Sequence, residues 1–208
     1  MARSRRLEID GREVEISNPG KLFFPESGIT KGELVDYYRR IAGLMLRHLR
    51  ERPLTQHRYP DGIAAEGFFQ KNLPEHYPDW FDRAEMKKQG GRITYAVVND
   101  AASLVYIANQ GCITPHLALA RRDRPEHPDR LIFDLDPSDD DFAKVQEAAR
   151  ILRRALENLE LPVFVQTTGS RGLHLVVPLD RSEDFDAVRG FARELAGLLA
   201  ERHPRLLT

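Results

Sequence analysis

Two carboxylates one residue apart, Asp134 and Asp136, close the apolar run Leu131-Ile132-Phe133 and are followed at once by Pro137. Side chains alternate faces along a strand, so both acids point the same way, about 7 Å apart along the chain. Like charges held that close repel, and a divalent cation between them relieves the repulsion. Further along, the apolar segments Val163-Phe164-Val165-Gln166-Thr167-Thr168 and Leu173-His174-Leu175-Val176-Val177-Pro178 flank Gly169-Ser170-Arg171-Gly172. That turn offers a hydroxyl and a guanidinium between glycines, which suits phosphate, and His174 enters the second segment. Acids for metal, a turn for phosphate and a histidine together make a nucleotide site. Each also has a plain structural reading: an acidic strand end, a hairpin turn and a core histidine.

The elements that position these groups follow from pattern. A strand leads into the two acids, and Asp139-Asp140-Asp141 opens a helix to about residue 159, its acids at the positive end of the macrodipole. Ala143, Val145, Ala148, Ala149, Leu152, Ala155, Leu156 and Leu159 form its apolar face. Strands at about 163–167 and 173–177 carry the Ser-Arg turn, and Asp184 opens a last helix to about residue 201. Upstream, Leu7-Glu8-Ile9 and Val14-Glu15-Ile16 alternate across Asp10-Gly11, a hairpin signature. Residues 18–25 read as a loop. Thr30-Lys31-Gly32-Glu33 is a capping box for a helix to about residue 50, with Leu34, Tyr37, Tyr38, Ile41, Leu44, Met45 and Leu49 at helical spacing. Short strands at 54–58 and 67–72 and a loop with Pro74, Pro78 and Trp80 follow. Next come a β-branched strand at 93–98, a helix capped by Asp100 and closed by Gly111, and a strand at 113–119. A polar loop then leads into the Asp-Leu-Asp strand. Strands mixed with helices, some in hairpins, predict an α+β fold with mixed or antiparallel sheets flanked by helices.

With 208 residues the chain can hold one sizeable core or two small ones. Hydrophobic residues at 41% and charged residues at 30% describe a soluble globular protein. No apolar run approaches the roughly 20 residues that cross a bilayer. Met1-Ala2-Arg3-Ser4-Arg5-Arg6 is basic with no apolar stretch after it, unlike a secretory signal. Cys112, the single cysteine, excludes an internal disulfide, reads as a core residue and fits a reducing cytoplasm. The net charge is −1, yet residues 1–58 carry 12 Lys and Arg against 8 Asp and Glu, enough for a local phosphate-binding face.

Leu131 to Pro137 taken with Thr168 to His174 resembles the polymerase domain of the bacterial end-joining ligase LigD, in the archaeo-eukaryotic primase superfamily. The resemblance continues through Asn18-Pro19-Gly20-Lys21, Gly28-Ile29-Thr30-Lys31-Gly32-Glu33, Phe68-Phe69-Gln70-Lys71-Asn72 and residues 104–116. It covers essentially the whole chain, in the family's order. It implies a primase-polymerase-like fold that adds ribo- or deoxyribonucleotides to a DNA 3′ end with manganese or magnesium. By the same resemblance, Asp134 and Asp136 hold the metals, while Ser170, Arg171, His174 and His116 lie at the incoming NTP or dNTP. Asn18, Lys21 and Lys31 grip a 5′-phosphate, and Phe68 and Phe69 stack on template DNA. Lysines neutralise phosphate and exposed aromatics stack bases. Adjacent phenylalanines on a strand face opposite ways, so at least one is expected in the core.

The chain then reads as a single domain, residues 1–208, with a 5′-phosphate part at about 1–80 and a catalytic part at about 92–208. The family completes its metal site with a third aspartate, in a segment like Asp-Tyr-Leu-Arg-Asn. The sequence stops at Leu206-Leu207-Thr208 before such a segment, and Asp180 is misplaced to substitute. The resemblance is thus to the N-terminal two thirds of the domain, without its C-terminal part. The implied role is nucleotidyl transfer in non-homologous end joining of double-strand breaks, in the bacterial cytoplasm at the nucleoid. Double-stranded DNA ends or gaps, a Ku-type end-binding protein and a DNA ligase are the expected partners, with no membrane. The alternative is a non-catalytic DNA-end-binding module, favoured by the missing third acid. Phosphatases of the haloacid dehalogenase type also carry an apolar Asp-x-Asp motif, but Pro137 and the absence of their downstream motifs argue against that family.

Overall fold

The computed structural model describes residues 4–88 and 90–207; the start of the basic N-terminus, Met1-Ala2-Arg3, and the final Thr208 lie outside the described residues. The chain divides into two compact units, Met1–Asp123 and Arg124–Thr208, each with its own core.

In the first unit, β1 (Ser4–Ile9) and β2 (Arg12–Ser17) pair antiparallel with Ile9 opposite Arg12. The two turn residues, Asp10 and Gly11, have φ of +53° and +72°, the hand that matches the twist of flanking strands. Leu7, Ile9, Val14 and Ile16 are the buried face of this hairpin. The segment read as a loop contains a short ladder, β3 (Leu22–Phe24) against β4 (Ile29–Thr30). Strands of three and two residues are too short to show alternation. Next comes α1 (Lys31–Leu49), whose capping box is complete: the Thr30 hydroxyl accepts from the Glu33 N–H at 3.3 Å and the Glu33 carboxylate accepts from the Thr30 N–H at 2.8 Å.

The buried stripe of α1 is Leu34, Val35, Tyr38, Ala42, Leu46 and Leu49. Leu44, placed on the apolar face by spacing, is 68% exposed, and Tyr37 is also exposed. Apolar residues spread around more of α1 than one stripe, so the neighbours, α2 (Ala101–Asn109) above all, choose which are covered.

The sheet of this unit joins β5 (Pro53–Arg58), β6 (Phe68–Gln70), β7 (Arg83–Lys88), β8 (Gly91–Val97) and β9 (Cys112–Leu117). β9 runs along one edge of β5; β8 and β6 share the other, at its start and its end. β7 escapes sequence reading because Arg83-Ala84-Glu85-Met86-Lys87-Lys88 is largely polar. Its pairing with β8, from Arg83 opposite Ala96 to Lys88 opposite Gly91, makes it a strand. Asp100 caps α2 by accepting from the Ser103 N–H at 2.7 Å. Cys112 is fully buried, and burial pushes its thiol up to about 12, which suits a core residue and not a nucleophile.

The second unit packs α3 (Phe142–Asn158) and α4 (Phe185–Arg202) with an antiparallel sheet of β10 (Arg130–Leu135), β12 (Leu173–Pro178) and β11 (Phe164–Thr167), in that order. Leu131, Leu173, Leu175 and Val177 meet Val145, Leu152 and Leu156 of α3 and Leu199 of α4. Asp141 and Asp184 cap the helices, accepting from the Ala143 and Ala187 N–H groups. Every strand pairing among the described residues is antiparallel, which settles the choice the pattern left open. Packing divides the chain at Asp123/Arg124 and not near residues 80–92, because β8 and β9 are paired with β5 and α2 packs on α1. Among the described residues no helix is long and apolar enough to cross a membrane.

The two readings of α1 separate by mutation. Leu46→Ala should destabilise by about 2–5 kcal/mol as a core truncation. Leu44→Ala should change stability by under about 0.5 kcal/mol. Urea unfolding of both variants checks this; equal losses would contradict the observed helix face.

Candidate functional site

In the second unit the pairing of β10 with β12 sets Asp134 opposite His174 and Leu135 opposite Leu173. Two motifs far apart in sequence thereby become neighbours. His174 Nε2 lies 3.2 Å from Asp134 Oδ1, with the carboxylate exposed and the imidazole half-buried. Asp136 stands one residue beyond the end of β10, exposed and, by strand alternation, on the face of Asp134.

Gly172 holds this arrangement together sterically. A Cβ there would sit 2.6 Å from Asp136 Oδ1 and 2.9 Å from the Leu135 carbonyl oxygen, closer than real Cβ atoms come. The Gly-Ser-Arg-Gly turn is fastened by Thr168, whose hydroxyl donates to the Gly172 carbonyl at 3.1 Å and accepts the Gly172 N–H at 3.2 Å. Ser170 is exposed at the tip, and the Arg171 guanidinium donates to Asp140 Oδ1 at 3.1 Å. A groove of about 240 Å³ runs beside the acids, lined among others by Asp134, Asp136, Ser138, Asp139, Lys144 and Arg205. Lys144 pairs with Asp139, which raises the amine and lowers the carboxyl. Asp180, which accepts from the Ser182 N–H and hydroxyl, has a structural job of its own. Among the described residues no three His, Cys, Asp or Glu side chains form a metal cluster. The donor set here is two exposed carboxylates, hard oxygen ligands of the kind that would suit magnesium or manganese.

In the first unit the residues 18–21 fold onto the start of α1. The Lys21 N–H donates to the Asn18 carbonyl at 3.0 Å, and the Gly32 N–H donates to the Pro19 carbonyl at 2.8 Å. Asn18 takes φ +47°, a left-handed conformation that asparagine tolerates. Lys31 is only 6% exposed and donates to the Ser17 carbonyl at 2.7 Å and the Ser17 hydroxyl at 2.9 Å. Burial first, then the nearby charges of Lys21 and Arg58, push its amine down to about 8. Lys31 is therefore no ordinary surface lysine. Lys21 Nζ donates to the Pro60 carbonyl at 2.8 Å and to Asp61 Oδ1 at 2.5 Å.

Phe68 and Phe69 are 46% and 59% exposed, so neither is in the core as alternation suggested. They do face opposite ways, but β6 is a three-residue strand at the end of the sheet order. Phe69 stacks on His57 at 4.1 Å, and His116 meets its edge at 5.3 Å. Phe68 lies under the Arg58 guanidinium at 5.4 Å. Burial and His57 lower the pKa of His116. The expected nucleotide residues thus divide: His116 belongs to the ring face of the first unit, and Ser170, Arg171 and His174 to the second.

A family model described as LigD, primase-polymerase domain, matches residues 30–208. The chain belongs to this family. It is 35% identical over 198 residues to the multifunctional non-homologous end joining protein LigD of Mycolicibacterium smegmatis, covering 94% of this chain and 26% of that protein. It is 27% identical over 198 residues to the bifunctional LigD of Bacillus subtilis, covering 94% of this chain and 32% of that one. The solved polymerase domain of Mycobacterium tuberculosis ligase D in complex with DNA superposes with a TM-score of 0.87 at 34% identity, over 92% of this chain and 70% of that one. The chain thus spans about a quarter to a third of these relatives' full length.

Sequence reasoning on this LigD-type domain assigned no role of their own to Ser17, His57, Arg58 and Thr168. Thr168 carried a signal, a hydroxyl just ahead of a glycine turn. His57 and Arg58 carried none, because their partners Phe69 and Gln110 are set by pairing and packing. Gly172→Ala should dislodge Asp136 and weaken manganese binding about tenfold or more, with the circular dichroism unchanged. Titration followed by manganese electron paramagnetic resonance checks this; unaltered affinity would show that Gly172 does not set the carboxylate.

Proposed function

We propose that this primase-polymerase domain transfers nucleotides to DNA 3′ ends during end joining. The observation that carries this is the pairing of Asp134 with His174 beside Asp136, with the Ser-Arg turn on the same strand connection. Asp134 and Asp136 would hold the divalent cation, magnesium or manganese. When bound, such a cation lowers the pKa of the primer 3′-hydroxyl and neutralises triphosphate charge. Arg171 exchanges its exposed partner Asp140 for nucleotide phosphate, and the Ser170 hydroxyl donates to the same group. His174 donates to or accepts from the nucleotide beside Asp134. His116, on the ring face, contacts the NTP or dNTP.

Asn18, Lys21 and Lys31 bind the 5′-phosphate at a gap or recessed end. Burying Lys31 beside Lys21 and Arg58 is unfavourable in the free protein, and an anion offsets that cost. Phe68 and Phe69 stack on template bases. The DNA-bound state of the solved relative supports a DNA substrate. A Ku-type end-binding protein and a DNA ligase, acting in the bacterial cytoplasm, complete the proposal. The second reading, a DNA-end-binding module without transfer activity, would rest on the Lys31 cluster and the exposed ring face of the first unit alone.

Primer extension on a gapped template with manganese separates the two. Transfer should fall at least about a hundredfold in Asp134→Ala or Asp136→Ala, with affinity for the gapped DNA within about twofold of the parent. Normal extension by either variant would contradict the assignment, and end binding without extension by the parent would favour the second reading.

Lys31 supplies a pH test. An amine lowered to about 8 is charged below that value and loses its charge as pH rises through it. Affinity for 5′-phosphorylated gapped DNA should therefore fall from pH 7 upward, bound phosphate moving the midpoint higher. Stability has the opposite slope: between about 8 and 10.5 the unfolded lysine holds the proton and the folded one does not, so raising pH stabilises the fold. Lys31→Ala and Lys21→Ala should each reduce the salt slope of binding by about one. Equal losses on DNA lacking the 5′-phosphate would show that neither lysine recognises that group.

A further inference from the structure

We infer that His57 is a positioning residue for base stacking: it backs one face of the Phe69 ring and holds that ring in place for an unpaired nucleobase on its other face. This rests on the reading of Phe69 as a stacking residue and adds a second residue to it. The β5–β6 register sets His57 directly opposite Phe69. Their rings lie nearly parallel, 4.1 Å apart at 15°. His116 flanks the pair, edge-on to Phe69 at 5.3 Å and tilted to His57 at 6.0 Å.

His57 is itself braced. The Tyr59 ring lies 4.5 Å away, with its hydroxyl 3.5 Å from His57 Nδ1. Tyr59 is fixed by its N–H, which donates to the Gly111 carbonyl at 2.7 Å. Its ring occupies space that only a glycine at position 67 leaves free, since a Cβ there would lie 2.5 Å from Tyr59 Cε1. The support therefore runs from Gly67 through Tyr59 and His57 to Phe69.

That support matters because β6 is short and Phe69 is exposed. A lone exposed ring loses rotamer freedom when a base stacks on it, and a ring already held by a neighbour loses less. A base stacks on one face of an aromatic ring, and the imidazole backing Phe69 on its other face leaves that face to the base.

The test is a gapped duplex with a 5′-phosphate and 2-aminopurine at the unpaired template position, compared with a nicked duplex that has no unpaired base. His57→Ala and the bulkier His57→Leu should each lose most of the 2-aminopurine quenching. Both should bind the gapped DNA about five- to tenfold more weakly, with nicked-duplex affinity and melting temperature unchanged. His57→Phe should restore both quenching and affinity. Equal weakening on the two duplexes, unchanged quenching in His57→Ala, or failure of His57→Phe to restore it would each overturn the inference. Phe69→Ala tells the two levels apart. If it leaves quenching intact, the stacking reading itself fails; if it abolishes quenching while His57→Ala does not, only the role of His57 fails.

Discussion

The antiparallel pairing of β10 with β12 is the constraint on which the second unit depends. One register sets Asp134 against His174 and brings the Gly169–Gly172 turn to the end of β10, where Asp136 stands. A slip of one residue would turn every side chain of β10 to the other face, burying the acids and exposing Leu131 and Phe133. The core under α3 and α4 therefore does more than stabilise the sheet. By requiring Leu131, Leu173, Leu175 and Val177 to face inward, it fixes which way the carboxylates point. Packing and site geometry are two consequences of one register.

The first unit works by a different constraint, the cost of crowding positive charge. Lys31 sits under the strand end at Ser17 with two hydrogen bonds to that residue, close to Lys21 and Arg58. Desolvation and repulsion both act against its charge, and a phosphate relieves both. Lys21 finds partial relief in Asp61 and Arg58 is tied to Gln110, so the cluster is held in shape. Such a cluster is preorganised: its unfavourable electrostatics are built into folding and would favour an anion. The ring face of β5, β6 and β9 has the same character, with side chains fixed by their neighbours before any DNA is present.

In both units the residues proposed to meet DNA or nucleotide sit where the regular structure ends. Asp136 is past the end of β10, Ser170 and Arg171 are in a turn, Phe68 and Phe69 are on a three-residue strand, and Asn18 and Lys21 precede α1. Each is fastened by something specific: Thr168 for the turn, Gly172 for Asp136, His57 for Phe69, and the Pro19–Gly32 hydrogen bond for the loop at residues 18–21. Loose segments thereby become rigid enough to define a site while their backbone stays open to a ligand.

The sequence by itself determined the elements whose signals are local. The Asp10-Gly11 hairpin, the capping box at Thr30 and Glu33, the Asp100 and Asp184 caps and the apolar face of α3 need only neighbours in the chain. The LigD family was legible as well, from the order of its motifs, and Asp134, Asp136, Ser170, Arg171 and His174 could be put forward as candidates from their spacing. Tertiary structure decided what depends on long-range partners. It made β7 a strand, turned Leu44 of α1 outward and Leu46 inward, and left both phenylalanines exposed on a short terminal strand. It also buried Lys31 and placed His57 under Phe69. Local propensity cannot foresee these outcomes, since each turns on which distant surface covers a residue, and that is set by register and packing across the whole unit.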